Sequence, residues 1–140
     1  MKKLGLLVLL FASLIPAYGW GNCDTVFGVR RFVSPGYPNV AWWAQVSGDV
    51  RLLAKVGADG QVESADVLSG TPILAKYAQN NLLNWCFTGQ PKGGRLEVVY
   101  HYRLQGPKIH GPAVPSVALQ SPTEVVIICN PPLPEGGSPA

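Results

Sequence analysis

The run DVRLLAKVGADGQVESADVL, residues 49–68, contains two strand-like segments around one tight turn. In the first, 49–57, Val50, Leu52, Ala54 and Val56 alternate with Arg51, Leu53 and Lys55, so one face is apolar and the other mixed. Ala58-Asp59-Gly60 follows, and Gly60 can take the positive φ that a tight hairpin demands. The second segment, 61–68, steps from Val62 to Ala65 and then to Val67, which breaks strict alternation. A β-bulge near Ser64 reconciles the two spacings. The expectation is a hairpin.

Outward from it, helix signals lie on both sides. Tyr37-Pro38 opens a first helix, since proline is tolerated at the first helical position, and Gly48 closes it in a left-handed cap. Thr71 is read as the N-cap of a second helix and Pro72 as its first residue. Leu74, Tyr77, Ala78, Asn81, Leu82 and Trp85 recur at three- and four-residue steps and share a face, with Lys76, Gln79, Asn80 and Asn84 toward water. Residues 90–94 form a loop, and 95–104 read as a third strand rich in Val and Tyr. Residues 114–119 and 125–129 flank a polar turn as a further hairpin. Val50, Leu52, Val56, Gly60, Leu74, Ala78, Trp85 and Phe87 are the expected structural core.

Residues 1–19 read as a secretory signal peptide: a basic start at Met1-Lys2-Lys3, an apolar run, then small residues flanking a cleavage point before Trp20. The apolar run is shorter than the roughly 20 residues of a spanning helix. Without the leader, nine basic and eight acidic residues leave a net charge of +1. With no basic cluster beyond Arg30-Arg31, nucleic acid is not an expected partner. The rest divides into an N-terminal flank (20–33), one domain (34–106), the extra hairpin (107–130) and a Pro/Gly-rich tail (131–140) expected to be extended or disordered. Three cysteines in an exported chain allow one internal bridge, for which Cys23 and Cys129 are the natural pair. Cys86 is then the odd thiol, either outward-facing and free to pair with another chain or a partly buried residue without a role.

The inventory argues against an enzyme. His101 and His110 are the only histidines, and no Ser/His/Asp set, Cys-x-x-Cys or His-x-x-x-His spacing occurs. No cofactor, metal or small-molecule substrate is expected. Trp42-Trp43 is a candidate contact patch, because adjacent residues on a helix cannot both face one core; the alternative is that both cover the rim of the sheet.

Taken together, Tyr37-Pro38, Ala41, Gly48, Val50, Val56, Asp59-Gly60, Val62, Leu68-Ser69-Gly70, Leu74, Ala78, Trp85 and Phe87 resemble the C-terminal domain of TonB-type energy transducers over about residues 34–106. The ordered set carries the resemblance rather than any one residue. It implies an α+β fold in which two helices pack on a three-stranded antiparallel sheet, here with the additional C-terminal β-hairpin. It also implies a periplasmic protein-binding module that takes a segment of an outer-membrane transporter by strand addition in energy-coupled transport. A stand-alone periplasmic adaptor for other protein partners is the alternative.

On that reading the 95–104 edge receives the partner, with Glu97, Val99, His101 and Arg103 on one face; the alternative is an ordinary strand whose edge is covered by its own chain. Ser34 stands where the family has a glutamine, and Tyr37, Trp42 and Trp43 complete the expected contact residues, with Tyr37 alternatively a packed structural anchor. The family's membrane anchor and proline-rich spacer are not read in this chain, so it is not expected to transduce energy alone. The extra hairpin is expected to pair with the third strand or pack across it. A homodimer through strand pairing or through Cys86 is a further expectation.

Replacing Trp85 by alanine is expected to cost about 3–5 kcal/mol, read from urea unfolding followed by fluorescence and circular dichroism.

Overall fold

A computed structural model describes residues 28–134. The leader, Cys23 and residues 135–140 lie outside the described residues.

The hairpin of β2 (Gly48–Val56) and β3 (Val62–Ser69) is antiparallel, and its register skips Glu63 at one end and Leu68 at the other. The first of these shifts is the bulge that the Val62–Ala65 spacing requires. Gly60 sits at φ +87, and a Cβ there would lie 2.0 Å from the Phe87 carbonyl oxygen. Only glycine permits the close contact in which the Phe87 N–H donates to Gly60 O at 2.7 Å.

β5 (Arg95–Leu104) pairs antiparallel with β2 from Lys55–Arg95 to Gly48–Tyr102. On its other side runs β7 (Glu124–Cys129), parallel, and β6 (Ser116–Ser121) closes the sheet antiparallel to β7. The sheet is therefore five-stranded and mixed, in the order β3-β2-β5-β7-β6, not three-stranded and antiparallel with a separate hairpin. Packing explains the enlargement: Val125, Ile127 and Cys129 alternate into the core and are almost wholly buried, continuing the row of Val98, Tyr100 and Tyr102. A short second sheet joins β1 (Val29–Arg31) to β4 (Cys86–Phe87), so part of the N-terminal flank is structured.

Both helices depart in detail from expectation. α1 (Asn39–Trp43) has Pro38 as its N-cap, not its first residue. The left-handed position after it is Gln45, φ 54, while Gly48 begins β2. α2 (Pro72–Leu82) starts at the expected proline, but the Thr71 side chain makes no capping bond. Its buried stripe is Leu74, Ala75, Ala78 and Leu82, and Tyr77 is half exposed. Two alanines on that stripe bring the helix close to the sheet, leaving no room there for a tyrosine. Pro131 to Leu133 is likewise not free of pairing: the Ile109 N–H donates to Pro131 O, and the Leu133 N–H donates back to Ile109 O. Proline carbonyls can accept in a ladder even though proline has no N–H to give.

Val50, Leu52, Val56, Leu74, Ala78, Trp85 and Phe87 are all buried. Phe32 meets Trp85 edge to face at 4.9 Å, and Tyr37 meets Tyr102 likewise at 5.3 Å. One polar residue joins these layers. The Asn81 Oδ1 accepts from Trp85 Nε1 and from the Tyr100 hydroxyl, both at 2.8 Å, and its Nδ2 donates to Val33 O at 3.0 Å. Asn81→Ala is expected to strand two buried donors at about 1–3 kcal/mol each. The loss should appear in the urea midpoint, with an unchanged slope if the native and unfolded states keep their compactness.

Candidate functional site

The alternation of β5 sends Val98, Tyr100 and Tyr102 under the helices and Glu97, Val99, His101 and Arg103 onto the opposite face, which no helix covers but where the neighbouring side chains leave Val99 buried, at 9% exposed. There the register with β2 brings Asp49 opposite His101 and Arg51 opposite Val99, and the register with β7 brings Glu124 opposite Val99. His101 consequently lies between two carboxylates, with Nδ1 2.8 Å from Asp49 Oδ1 and Nε2 3.3 Å from Glu124 Oε1. Arg103 Nη2 reaches the same Asp49 oxygen at 2.7 Å. This cluster spans β2, β5 and β7. A doubly protonated imidazole donates to both carboxylates at once, whereas the neutral ring donates to only one. The Asp49 carboxyl is held below its usual range by the hydrogen bond from His101 foremost, partial burial opposing, with Arg103 adding to the depression. The Arg51–Glu97 pair, 2.8 Å apart and half exposed, adds little. Among the described residues no group of three or more His, Cys, Asp or Glu is placed to hold a metal ion.

The edge of β5 is the second part of the site, and of the two expectations for it, open to a partner or covered by its own chain, the structure shows the covered one along most of its length. The Val99 N–H donates to Thr123 O at 2.8 Å and the Gln105 N–H to Cys129 O at 2.9 Å, so β7 fills the edge along 99–104. The extra hairpin thus pairs with the third strand, the first of the two arrangements expected of it. Only 95–98 keeps an outer edge without a strand partner among the described residues.

The remaining contact residues separate. Ser34 and Trp43 are exposed, Trp43 at 43%. Tyr37 and Trp42 are buried and face inward, which corrects the assignment of Trp42 to a contact surface and makes Tyr37 the structural anchor of its two readings. The Tyr37 hydroxyl donates to Val46 O, and burial pushes its pKa up to about 12. Trp42 Nε1 donates to Asn130 O at 2.7 Å, tying α1 to the end of β7. Cys86 does not face outward: it is 3% exposed, with Arg30 Nη2 at 2.8 Å from its sulfur. Pairing with β1 covers it, so that route to a homodimer is closed. Cys129 is buried, with no disulfide partner among the described residues, and burial raises the pKa of its thiol. The proposed partner Cys23, and with it the bridge, falls outside the described residues.

Sequence reasoning missed Asp49 and Glu124. Each lies on a different strand from His101, and only the sheet register brings the three together. It also missed an apolar groove of about 500 Å³ between the helices, lined by Val40, Pro72, Ile73 and Tyr77.

The family model of the Gram-negative bacterial TonB protein C-terminal matches residues 33–104, which ends with the last residue of β5 and excludes β6 and β7. A curated relative, Protein TonB of Klebsiella aerogenes, is 31% identical over 77 residues, which cover 54% of this chain and 32% of that one. The chain therefore spans about a third of the length of that relative. No solved structure matches.

A carboxyl whose folded pKa is depressed contributes stability that is full above the ordinary aspartate range and is lost as pH falls through the depressed value. Wild type is therefore expected to exceed Asp49→Asn in stability at neutral pH and to lose that advantage below about pH 4. Urea unfolding at a series of pH values measures the difference.

Proposed function

The chain belongs to the TonB C-terminal family, and on that footing we propose that it is a protein-binding domain of the periplasm that takes an extended segment of an outer-membrane transporter as an added strand, in energy-coupled transport. The observation that carries this reading is that β5 already holds an added strand. β7 lies along it in parallel, bonded through the main chain, with Val125, Ile127 and Cys129 alternating into the core. Main-chain bonds of this kind supply affinity and alternate side chains supply selectivity. An incoming segment begins on the unpaired 95–98 edge beside Glu97 and displaces β7 from its Glu124 end. Val99, His101 and Arg103 then flank it on the uncovered face, Ser34 and Trp43 offer surface contacts, and Tyr37 and Trp42 support the edge from within. Among the described residues no helix is long and apolar enough to cross a membrane.

The occupied edge also favours a second reading, a stand-alone periplasmic adaptor that binds other envelope proteins through the same fold.

A photo-cross-linking residue placed at Glu97, in the chain produced in a Gram-negative host, distinguishes these outcomes. An adduct with an outer-membrane transporter is expected, and its yield should rise several-fold when Glu124→Ala frees β7 from His101. Adducts confined to soluble envelope proteins select the adaptor. Absence of any protein adduct in both backgrounds overturns strand addition at β5.

A further inference from the structure

The two outer edges of the five-stranded sheet are built differently. β3 carries Glu63 and Asp66 and has a register shift near each end of its pairing with β2. Charges and bulges of this kind keep an exposed edge from accepting another strand. β6 carries no charge, and its one register shift falls past Leu119, at Gln120. Residues 111–123 contain no charged side chain, and the register with β7 is unbroken from Ser116 to Leu119. Its side chains are exposed or half-exposed, Leu119 at 38% and the preceding Val114 at 71%. Among the described residues its outer edge has no strand partner.

We infer that β6 pairs with β6 of a second copy of this chain, antiparallel about Ala118, so that two five-stranded sheets become one. The sequence of the strand fits itself in that register. With Ala118 opposite its own copy, Val117 comes against Leu119 and Ser116 against Gln120, so a small side chain lies on the two-fold axis, an apolar pair flanks it and a polar pair closes each end. No like charges meet. Val117 and Leu119 share their face with Ile127 and Val125, which are buried, so the cross-copy contacts extend the apolar row already present in each core. A partner of unrelated sequence would find no charge on this edge to select it, whereas a second copy supplies the matching pattern. Pro115 and Pro122 bound the strand and limit the pairing to a few residues. The interface is therefore small, and the dimer weak and concentration-dependent. It leaves the β5 edge untouched, so it stands or fails separately from transporter binding.

Sedimentation equilibrium of the full chain under reducing conditions, over a wide concentration range, tests the pairing. A monomer–dimer equilibrium is expected, and Ala118→Lys, which places like charges on the axis at an exposed site, should weaken it by about tenfold or more, with an unchanged circular dichroism spectrum. The register is tested by cysteine. Directly opposed residues in antiparallel strands lie about 4.5–5.5 Å apart at Cα, within disulfide reach. Ala118→Cys should therefore give a reductant-sensitive dimer on mild oxidation, and Asp66→Cys on β3 should not. A wild-type chain that stays monomeric throughout, a dimer indifferent to Ala118→Lys, or equal cross-linking from positions 66 and 118 overturns the proposal.

Discussion

The outer edge of β5 constrains everything around it. This strand carries Val98, Tyr100 and Tyr102 into the core, so its backbone cannot swing away to find water, and its outward N–H and C=O groups need partners where they stand. The chain meets that demand with β7, whose N-terminal end enters opposite Val99 and whose C-terminal end leaves opposite Leu104. From this one pairing follow the parallel direction of β7, the crossover that runs through β6, and the position of the 107–115 connection. The bond from Trp42 Nε1 to Asn130 O then anchors α1 to the far end of the added strand. Strand, hairpin and first helix are thereby fastened to the same edge.

Beneath the sheet, aromatic packing sets the spacing and Asn81 sets the orientation. Trp85 lies 5.7 Å from Tyr100, and Tyr100 stacks on Tyr102 at 6.3 Å. All three rings carry a polar group, and burial raises the pKa of both tyrosine hydroxyls. Asn81 satisfies Trp85 and Tyr100 together, which holds α2 in one rotation over the sheet. The Tyr102 hydroxyl, by contrast, is buried without a hydrogen-bond partner among the described residues. It lies on the part of β5 that β7 covers, next to Tyr37.

The elements that were legible in the sequence are those whose pattern is local. Alternation from Val50 to Val56, the glycine at 60 and the Thr71-Pro72 start each specify a conformation within a few residues, and those elements form close to where they were expected. The bulge near Ser64 was legible for the same reason. What escaped depends on non-local pairing. Val29-Arg30-Arg31 has no apolar alternation, yet becomes β1 because the backbone at Cys86 and Phe87 takes it as a partner. The Arg30 and Arg31 heads then bond across to Cys86, Asn84 and Gln61. Adjacency left Trp42-Trp43 either as a contact patch or as cover for the rim of the sheet, and only the contact with Asn130 makes Trp42 the buried ring. The parallel direction of β7 is invisible in its alternation, which reads the same in both directions.

On the proposed function, an edge that is filled from within changes the terms of binding rather than abolishing it. A tethered strand competes at an effective concentration that for short flexible connections is on the order of millimolar. A segment that binds β5 only through its main chain does not gain against β7, because it replaces equivalent hydrogen bonds. The difference must come from side chains that fill the positions of Val125, Ile127 and Cys129 better than they do, or from the unpaired 95–98 edge, which β7 does not use. Apparent affinity is reduced in proportion to the fraction of molecules in which β7 is displaced. The Asp49–His101–Glu124 cluster bears on that fraction because it joins the first residue of β7 to the two strands beneath it. Selectivity then rests on the incoming side chains, since the backbone bonds they accompany are already made.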